Sequence, residues 1–109
     1  MSGDNGPVWG SWEDSVAFGT EGATFKPIAE GEGSKTFVVG LEPGQELASH
    51  PAPDDLCLLV VQGQVSLLAG DERRSCDVGE LVQMRAGVPH SIRNGDSGRA
   101  VVVGVLHRP

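Results

Sequence analysis

The sequence predicts an all-β domain in which short antiparallel strands form a sandwich or a barrel. The 109 residues include 16 glycines and 7 prolines, so few long segments are free of turn-forming residues. The apolar residues lie in about nine short runs rich in β-branched side chains. No run keeps a helical period beyond two turns. Such a pattern is typical of antiparallel sandwiches and barrels.

An N-terminal arm, residues 1–22, is predicted to precede a barrel at residues 23–109. The arm is rich in glycine, serine and acidic residues and shows no sustained period. Trp9 and Trp12 are its large apolar side chains. Because exposed aromatics are costly in water, we expect both to dock on the barrel or on a second subunit.

The first strands follow the arm and alternate with turn signals. Residues 23–28 and 35–41 are strand-like and flank the turn sequence EGEGS, and residues 45–50 follow the turn PGQ. The run LCLLVV at residues 56–61 is apolar at every position. A strand of this kind is expected at the centre of a sheet, covered on both faces.

The later strands begin with a predicted hairpin about Gly70 and Asp71. These two residues form a turn pair between two strand-like runs. Three further strands are predicted from the segments ELVQM, HSIRN and AVVVGVLH.

Charge and composition exclude several classes of partner. The formal net charge is −7, which would repel nucleic-acid phosphates and anionic lipid surfaces. No apolar run approaches the length needed to span a bilayer, and the N-terminus lacks the basic and apolar regions of a signal peptide. Cys57 and Cys76 have no CxxC spacing and are expected to be reduced thiols. We therefore expect a soluble cytoplasmic protein without nucleic-acid or membrane partners.

Two glycine-framed segments, each with one histidine, have a related layout. The second segment, GELVQMRAGVPHSIRN, follows the pattern G-x5-P-x-G-x2-H-x3-N. Gly79, Gly87, His90 and Asn94 occupy their positions in this pattern, and Arg85 stands where the pattern has proline.

The first segment keeps the ends of its pattern and loses the middle. Gly44, His50 and Gly63 fit G-x5-H-x-H-x3,4-E-x6-G. Ala52 stands at the position of the second histidine, and Leu56 stands at the position of the glutamate.

On these two motifs the chain resembles the small single-domain cupins, over about residues 24–106. The resemblance implies a cupin jelly-roll barrel, also described as a double-stranded β-helix. Because small cupins commonly pair through their sheets, it also implies a homodimer. It does not imply one activity, since oxygenases, isomerases, cyclases, sensor domains and storage proteins share this barrel.

A metal site is the first chemical possibility. Open catalytic metal sites usually have three protein ligands, and the motif positions supply His50 and His90. Asp55 is the candidate third ligand if the strand begins late or carries a bulge, and Asp54 is the alternative to it. Otherwise this pair forms a solvated acidic loop at the barrel rim. A complete site would take iron, manganese, nickel or zinc, and an incomplete one would take none. His107, near the C-terminus, is expected to be exposed or docked on a neighbour.

Strand parity also predicts the lining of the barrel. Leu56, Leu58 and Val60 should point inward, and Cys57 should point outward. Four polar side chains are further candidates for contact with a ligand in the lumen or at its mouth: Glu46, Gln62, Gln83 and Arg85. Arg85 could instead form a salt bridge at the rim.

Three functions stay open at this point. The first is a cupin that binds a small organic ligand between His50, His90 and the apolar wall, with a degenerate metal site. The second is an enzyme: an isomerase, cyclase or dehydratase in which the two histidines transfer protons, or a metal-dependent dioxygenase completed by Asp55. The third is a structural dimer module. The first two predict a hollow lumen with a mouth, and the third predicts a lumen filled by side chains.

Overall fold

The computed structural model describes residues 6–48, 51–95 and 97–108, which form nine strands and one short helix. The elements are α1 (Trp12–Ser15), β1 (Thr24–Gly31), β2 (Ser34–Leu41), β3 (Glu46–Leu47), β4 (Asp55–Gln62), β5 (Gln64–Ala69), β6 (Glu72–Asp77), β7 (Leu81–Met84), β8 (His90–Asn94) and β9 (Ala100–His107). The described residues contain no helix that is long and apolar enough to cross a membrane.

The strands form two antiparallel sheets. One has five strands in the order β1-β2-β9-β4-β7, and the other has four in the order β3-β8-β5-β6. Every pairing is antiparallel, and most neighbours are far apart in sequence. The all-β prediction is confirmed, and β4 lies inside its sheet between β9 and β7, as the run LCLLVV indicated.

The apolar core lies between the two sheets and follows the alternation of each strand. On β4, Leu56, Leu58 and Val60 are 3%, 1% and 0% exposed and belong to the core, as parity predicted. Cys57 and Leu59 point to the other side of the sheet and are half-buried. Full burial of one such leucine contributes about 2 kcal/mol.

The N-terminal arm packs against the outer face of the five-stranded sheet. Helix α1 contacts β1 and β2, and Ser11 caps it by accepting a 3.3 Å hydrogen bond from the amide of Asp14. Further along, the arm crosses β2 so closely that a Cβ at Gly40 would collide with the carbonyl oxygen of Ala17. Backbone approach of this kind requires glycine.

The two tryptophans of the arm differ in their surroundings. Trp12 lies in α1 and is half-buried. Trp9 is 88% exposed and its neighbour Val8 is 64% exposed, so the structure does not dock Trp9 on its own barrel. Its docking on a second subunit stays a prediction.

Two of the predicted local features have different outcomes. The hairpin is confirmed: β5 and β6 pair up to Ala69 and Glu72, and Gly70 adopts a φ of 66° in the turn. Of the strand predicted at residues 45–50, Glu46 and Leu47 form β3 and pair with β8, while residues 49 and 50 lie outside the described residues.

Candidate functional site

A cavity of about 200 Å³ lies between the two sheets near one end of the barrel. This is roughly the volume of six or seven liquid water molecules. The five-stranded sheet contributes only apolar side chains to its wall: Phe25, Phe37, Leu56, Leu58 and Leu106. These positions alternate along their strands, so the same pleat that builds the core also lines the cavity.

The opposite wall carries the polar feature of the cavity. The four-stranded sheet contributes Leu47, Ile92 and His90, and the segment at residues 51–53 lies at the mouth. Among the described residues that line the cavity, His90 has the one side chain with a nitrogen, oxygen or sulfur atom. The described wall is therefore that of an apolar chamber with a single imidazole.

Two aromatic rings stack at the mouth. The centroids of Phe25 and Phe37 are 4.4 Å apart, and their planes differ by 23°. Phe25 is 50% exposed, whereas Phe37 is 5% exposed. Gly104, opposite Phe37 on β9, makes room for the inner ring, because a Cβ there would collide with it. The pair offers a flat aromatic surface to a molecule that enters the cavity.

His90 is held in one orientation at the start of β8. It is 7% exposed, and its Nδ1 lies 3.1 Å from the carbonyl oxygen of Val88. Because a carbonyl only accepts, this contact assigns a proton to Nδ1. In the neutral ring Nε2 is then the acceptor, and in the imidazolium both nitrogens donate.

The turn before β8 is fastened to the segment that precedes β4. The amide of Gly87 donates to the carbonyl of Ala52 at 2.8 Å, and the amide of Ala86 donates to Oδ1 of Asp55 at 2.9 Å. These two bonds join the middle of the first motif to the middle of the second. The second bond also fixes the carboxylate of Asp55 on the turn, while Leu56 faces the cavity.

The described residues do not fit a catalytic metal centre. Such a centre needs three side-chain ligands around an open position, and the described wall supplies one, His90. Ala52 and Leu56, at two ligand positions of the resembled motif, present methyl groups to the cavity. Over residues 6–48, 51–95 and 97–108, no three His, Cys, Asp or Glu side chains are grouped closely enough to hold a metal ion. His50, the remaining predicted ligand, lies outside the described residues.

Comparison with known families agrees with the fold and with this layout of motifs. The model of the cupin domain family Cupin_2 matches residues 37–106, which contain both motifs. The chain belongs to this cupin family. No curated protein matches it in sequence.

Solved structures show the same cupin fold. The TT1209 protein of Thermus thermophilus is 24% identical with a TM-score of 0.82, and the match covers 91% of this chain and 96% of that one. An uncharacterized conserved protein with a double-stranded β-helix domain from Klebsiella pneumoniae is 21% identical with a TM-score of 0.82, over 94% and 90% of the chains. The Cupin_2 domain of an XRE family transcriptional regulator from Enterobacter cloacae is 24% identical with a TM-score of 0.69, over 80% and 97%. At these identities the likeness shows the fold alone.

The predicted polar contacts of this cupin lie away from the cavity wall. Glu46 is exposed and stands beside Arg93 on the outer face, while its neighbour Leu47 faces inward. Gln83 is exposed on the outer face of β7, opposite Cys57. Glu46 was predicted to face inward on the assumption that one strand spans residues 45–50. β3 ends at Leu47, so the alternation of faces cannot be counted further along the chain.

The remaining predicted polar residues lie at the surface. Gln62 is exposed at the end of β4, just after the register shift that follows Val60. Arg85 is exposed at the turn after β7. His107 is exposed at the end of β9, as expected.

The two cysteines are free thiols, as expected. Burial is the main cause that raises the pKa of the Cys76 thiol above its ordinary value of 9.0, and the carboxylate of Glu80 adds to this effect. The thiol is therefore protonated at neutral pH and is a poor nucleophile.

Several residues of the cavity wall were not among the sequence-based candidates. Ile92 and Leu106 continue the parity of His90 and of the inward face of β9, and this signal could have found them. Phe25 could not have been found in the same way. A bulge between Pro27 and Ala29 shifts the register of β1 against β2, so parity along β1 alone does not predict its face.

Proposed function

We propose that this cupin binds a small, mostly apolar organic molecule in the cavity between its sheets, with His90 bonded to the one polar group of that molecule. The observation that carries the proposal is the composition of the described wall: apolar side chains from both sheets and one buried imidazole. Ligand pockets in proteins commonly combine an apolar lining with few polar groups that fix orientation.

The size and shape of the cavity limit the ligand. A volume of about 200 Å³ is below the range of typical drug-sized pockets, which begins at roughly 300 Å³. The stacked rings of Phe25 and Phe37 favour a flat, unsaturated or aromatic molecule. A ligand with one ring and one short polar substituent fits both constraints.

The orientation of His90 determines the polar group that it can recognise. With its Nδ1 directed at the Val88 carbonyl, the neutral ring accepts a hydrogen bond at Nε2 from a hydroxyl or an amide. The protonated ring would instead donate to a carboxylate. A phenol-like or benzoate-like ligand satisfies these requirements.

The same cavity bears on the structural and the enzymatic alternatives. A purely structural module predicts a filled lumen, and the open cavity favours a binding role. The enzymatic alternatives predict a second polar group near His90; His50 is the sequence candidate for it. Acid–base chemistry by His50 and His90 therefore stays a prediction, and loss of a probe molecule over time would reveal it.

The test is a titration with three probes that share one aromatic ring and differ in its substituent: benzene, phenol and benzoate. We expect phenol or benzoate to bind more tightly than benzene, to raise the melting temperature, and to shift the NMR signals of His90 and Ile92. A ligand that binds only the folded state stabilises it, and the rise in melting temperature increases with ligand concentration. A protein that gives no saturable signal with any of the three probes would contradict the proposal.

A matched pair of variants locates the binding. Leu58→Phe fills the cavity from β4, whereas Leu59→Phe places the same ring on the opposite side of the same strand. We expect the first variant to abolish probe binding and the second to retain it. Equal affinity in both variants would place the ligand elsewhere.

We also propose that the protein is a homodimer. The exposed Trp9 and Val8 of the arm support this, because a second copy would remove both from water. Gel filtration with multi-angle light scattering should give the mass of a dimer, and Trp9→Ser should shift it toward the monomer. A monomer at every concentration would contradict the proposal. The cytoplasmic location stays a prediction.

A further inference from the structure

A second cavity, of about 380 Å³, lies on the outer face of the four-stranded sheet. Strand register aligns three polar side chains across it: Ser75 on β6, Ser66 on β5 and Arg93 on β8. Arg73 lies two residues before Ser75 on the same face. We name this surface, formed by Arg73, Arg93, Ser66 and Ser75, the arginine groove. It is separated from the ligand cavity by the thickness of the sheet.

The arginine groove gathers positive charge in an acidic protein. Six of the eight basic residues are arginines, and two of the six line this one cavity. Among the described residues, ion pairs occupy Arg74 with Glu72 and Arg99 with Glu42, on other surfaces. Arg73 and Arg93 are not neutralised by a described carboxylate within ion-pair distance.

A hydroxyl lies on the strand between those of the two arginines. Nη1 of Arg73 donates a 3.1 Å hydrogen bond to Oγ of Ser66, which lies on the strand between β6 and β8. Two strand spacings separate the arginine strands by about 10 Å, a distance that two arginine side chains can span from both sides. One anion above Ser66 would therefore meet donors from opposite directions.

The nearby carboxylates limit the affinity of the arginine groove. Glu46 stands beside Arg93 in register, and Asp77 accepts a 2.7 Å hydrogen bond from the side-chain amide of Gln64 at the edge of the groove. Both carboxylates lower the positive electrostatic potential in the arginine groove. A ligand must then carry enough charge and enough acceptor atoms to compete, which favours a dianion over a monoanion.

We propose that the arginine groove binds a phosphate group. A phosphate dianion has several acceptor oxygens arranged tetrahedrally, and planar guanidinium groups bind such oxygens through paired hydrogen bonds. The hydroxyls of Ser66 and Ser75 supply further donors. A planar carboxylate has two acceptor atoms and uses fewer of these groups. The site is independent of the ligand cavity, because it uses the opposite face of β5 and β8.

The test is NMR titration of the full chain at constant ionic strength with inorganic phosphate, glycerol 3-phosphate and acetate. We expect saturable shifts of the Arg73, Arg93 and Ser66 signals with both phosphate compounds, and affinity for acetate at least about tenfold lower. Tighter binding of glycerol 3-phosphate would identify a phosphomonoester as the ligand class, and equal binding would identify the phosphate group alone. Saturation by acetate at the same concentration would overturn the proposal, as would the absence of saturable shifts.

Matched variants assign the binding to the arginine groove. Arg73→Gln and Arg93→Gln should each weaken phosphate binding at least about tenfold, since each removes a charged pair of donors. Arg74→Gln removes the same charge one residue away, on the opposite face of β6, and should change affinity less than about twofold. All three residues are exposed, so the amide spectra should stay those of the folded protein. Phosphate affinity that is unchanged in both groove variants would overturn the assignment.

Discussion

The two motif segments of this cupin, residues 44–63 and 79–94, share a frame and differ in their interior. The glycines of both frames adopt left-handed backbone conformations, with φ of 74° at Gly63, 93° at Gly79 and 88° at Gly87. Inside its frame, between Gly87 and Asn94, the second segment places His90 in the wall of the ligand cavity. The first segment places the methyl groups of Ala52 and Leu56 there.

This difference shows that the frame and the chemistry of a cupin motif are separable. The frame residues satisfy backbone requirements: positive φ at glycine, and buried hydrogen bonds at Asn94, whose amide donates to the carbonyls of Leu41 and Gly98 at 3.0 and 2.8 Å. These requirements are the same whatever the cavity contains. The side chains at the former ligand positions face the cavity, so a cupin barrel can keep this frame with an apolar wall where the motif has metal ligands.

The largest effect is expected at the frame of the first motif. Gly63→Ala should lower the free energy of unfolding by about 3 kcal/mol, because the residue has positive φ and a Cβ would lie 2.6 Å from the carbonyl oxygen of Arg99. Urea denaturation measures this change. Gly95→Ala is the control, since a Cβ at Gly95 meets no atom within 4 Å. Equal losses in the two variants would contradict the role given to the frame.

A somewhat smaller effect is expected at the frame of the second motif. Asn94→Ala should lower the free energy of unfolding by about 2 kcal/mol, because the carbonyls of Leu41 and Gly98 lose a buried donor. The control is Gln83→Ala, which removes an exposed amide and should change stability by less than about 0.5 kcal/mol. An Asn94→Ala variant as stable as this control would show that the two hydrogen bonds contribute nothing.

A change in metal affinity, rather than in stability, is expected from restoring the interior of the first motif. The double variant Ala52→His, Leu56→Glu places two metal-binding side chains on the wall that holds His90. We expect it to bind Zn²⁺ more than about tenfold more tightly than the native chain. Residues that only hydrogen-bond to metal ligands already change metal affinity by about this factor when they are mutated, and direct ligands should change it by more. Calorimetric titration and metal analysis measure this.

The control for that experiment places polar side chains at the same positions that bind Zn²⁺ less strongly than imidazole or carboxylate. Ala52→Asn, Leu56→Gln changes the same two positions and should leave Zn²⁺ affinity near that of the native chain. If the native chain already holds one Zn²⁺ ion per molecule, the apolar side chains at positions 52 and 56 do not prevent metal binding, and the prediction is wrong. His50 would then be the first residue to mutate.

Register is the point at which the sequence was least able to predict the site. One residue separates an inward Asp55 from an inward Leu56, and a strand that starts one residue later exchanges their faces. Strand parity counted from the first histidine position of the motif favoured Leu56, and the structure agrees: Leu56 lines the cavity and Asp55 binds the amide of Ala86. The same reasoning misplaced Glu46, because its strand ends after two residues and parity has no meaning beyond a strand.

By itself, the sequence determined the fold class, the family resemblance and the inward face of β4. These depend on local properties: turn-forming glycines at fixed spacings, short apolar runs, and the alternation of faces along a strand counted from a motif position. Only the tertiary structure determined that His90 stands among these apolar side chains in the described wall, that Phe25 and Phe37 stack at the mouth, and that Arg73 and Arg93 line one groove with Ser66. Each of these depends on which strands are neighbours. Strand order in an antiparallel sandwich joins residues that are far apart in sequence, and no local period encodes it.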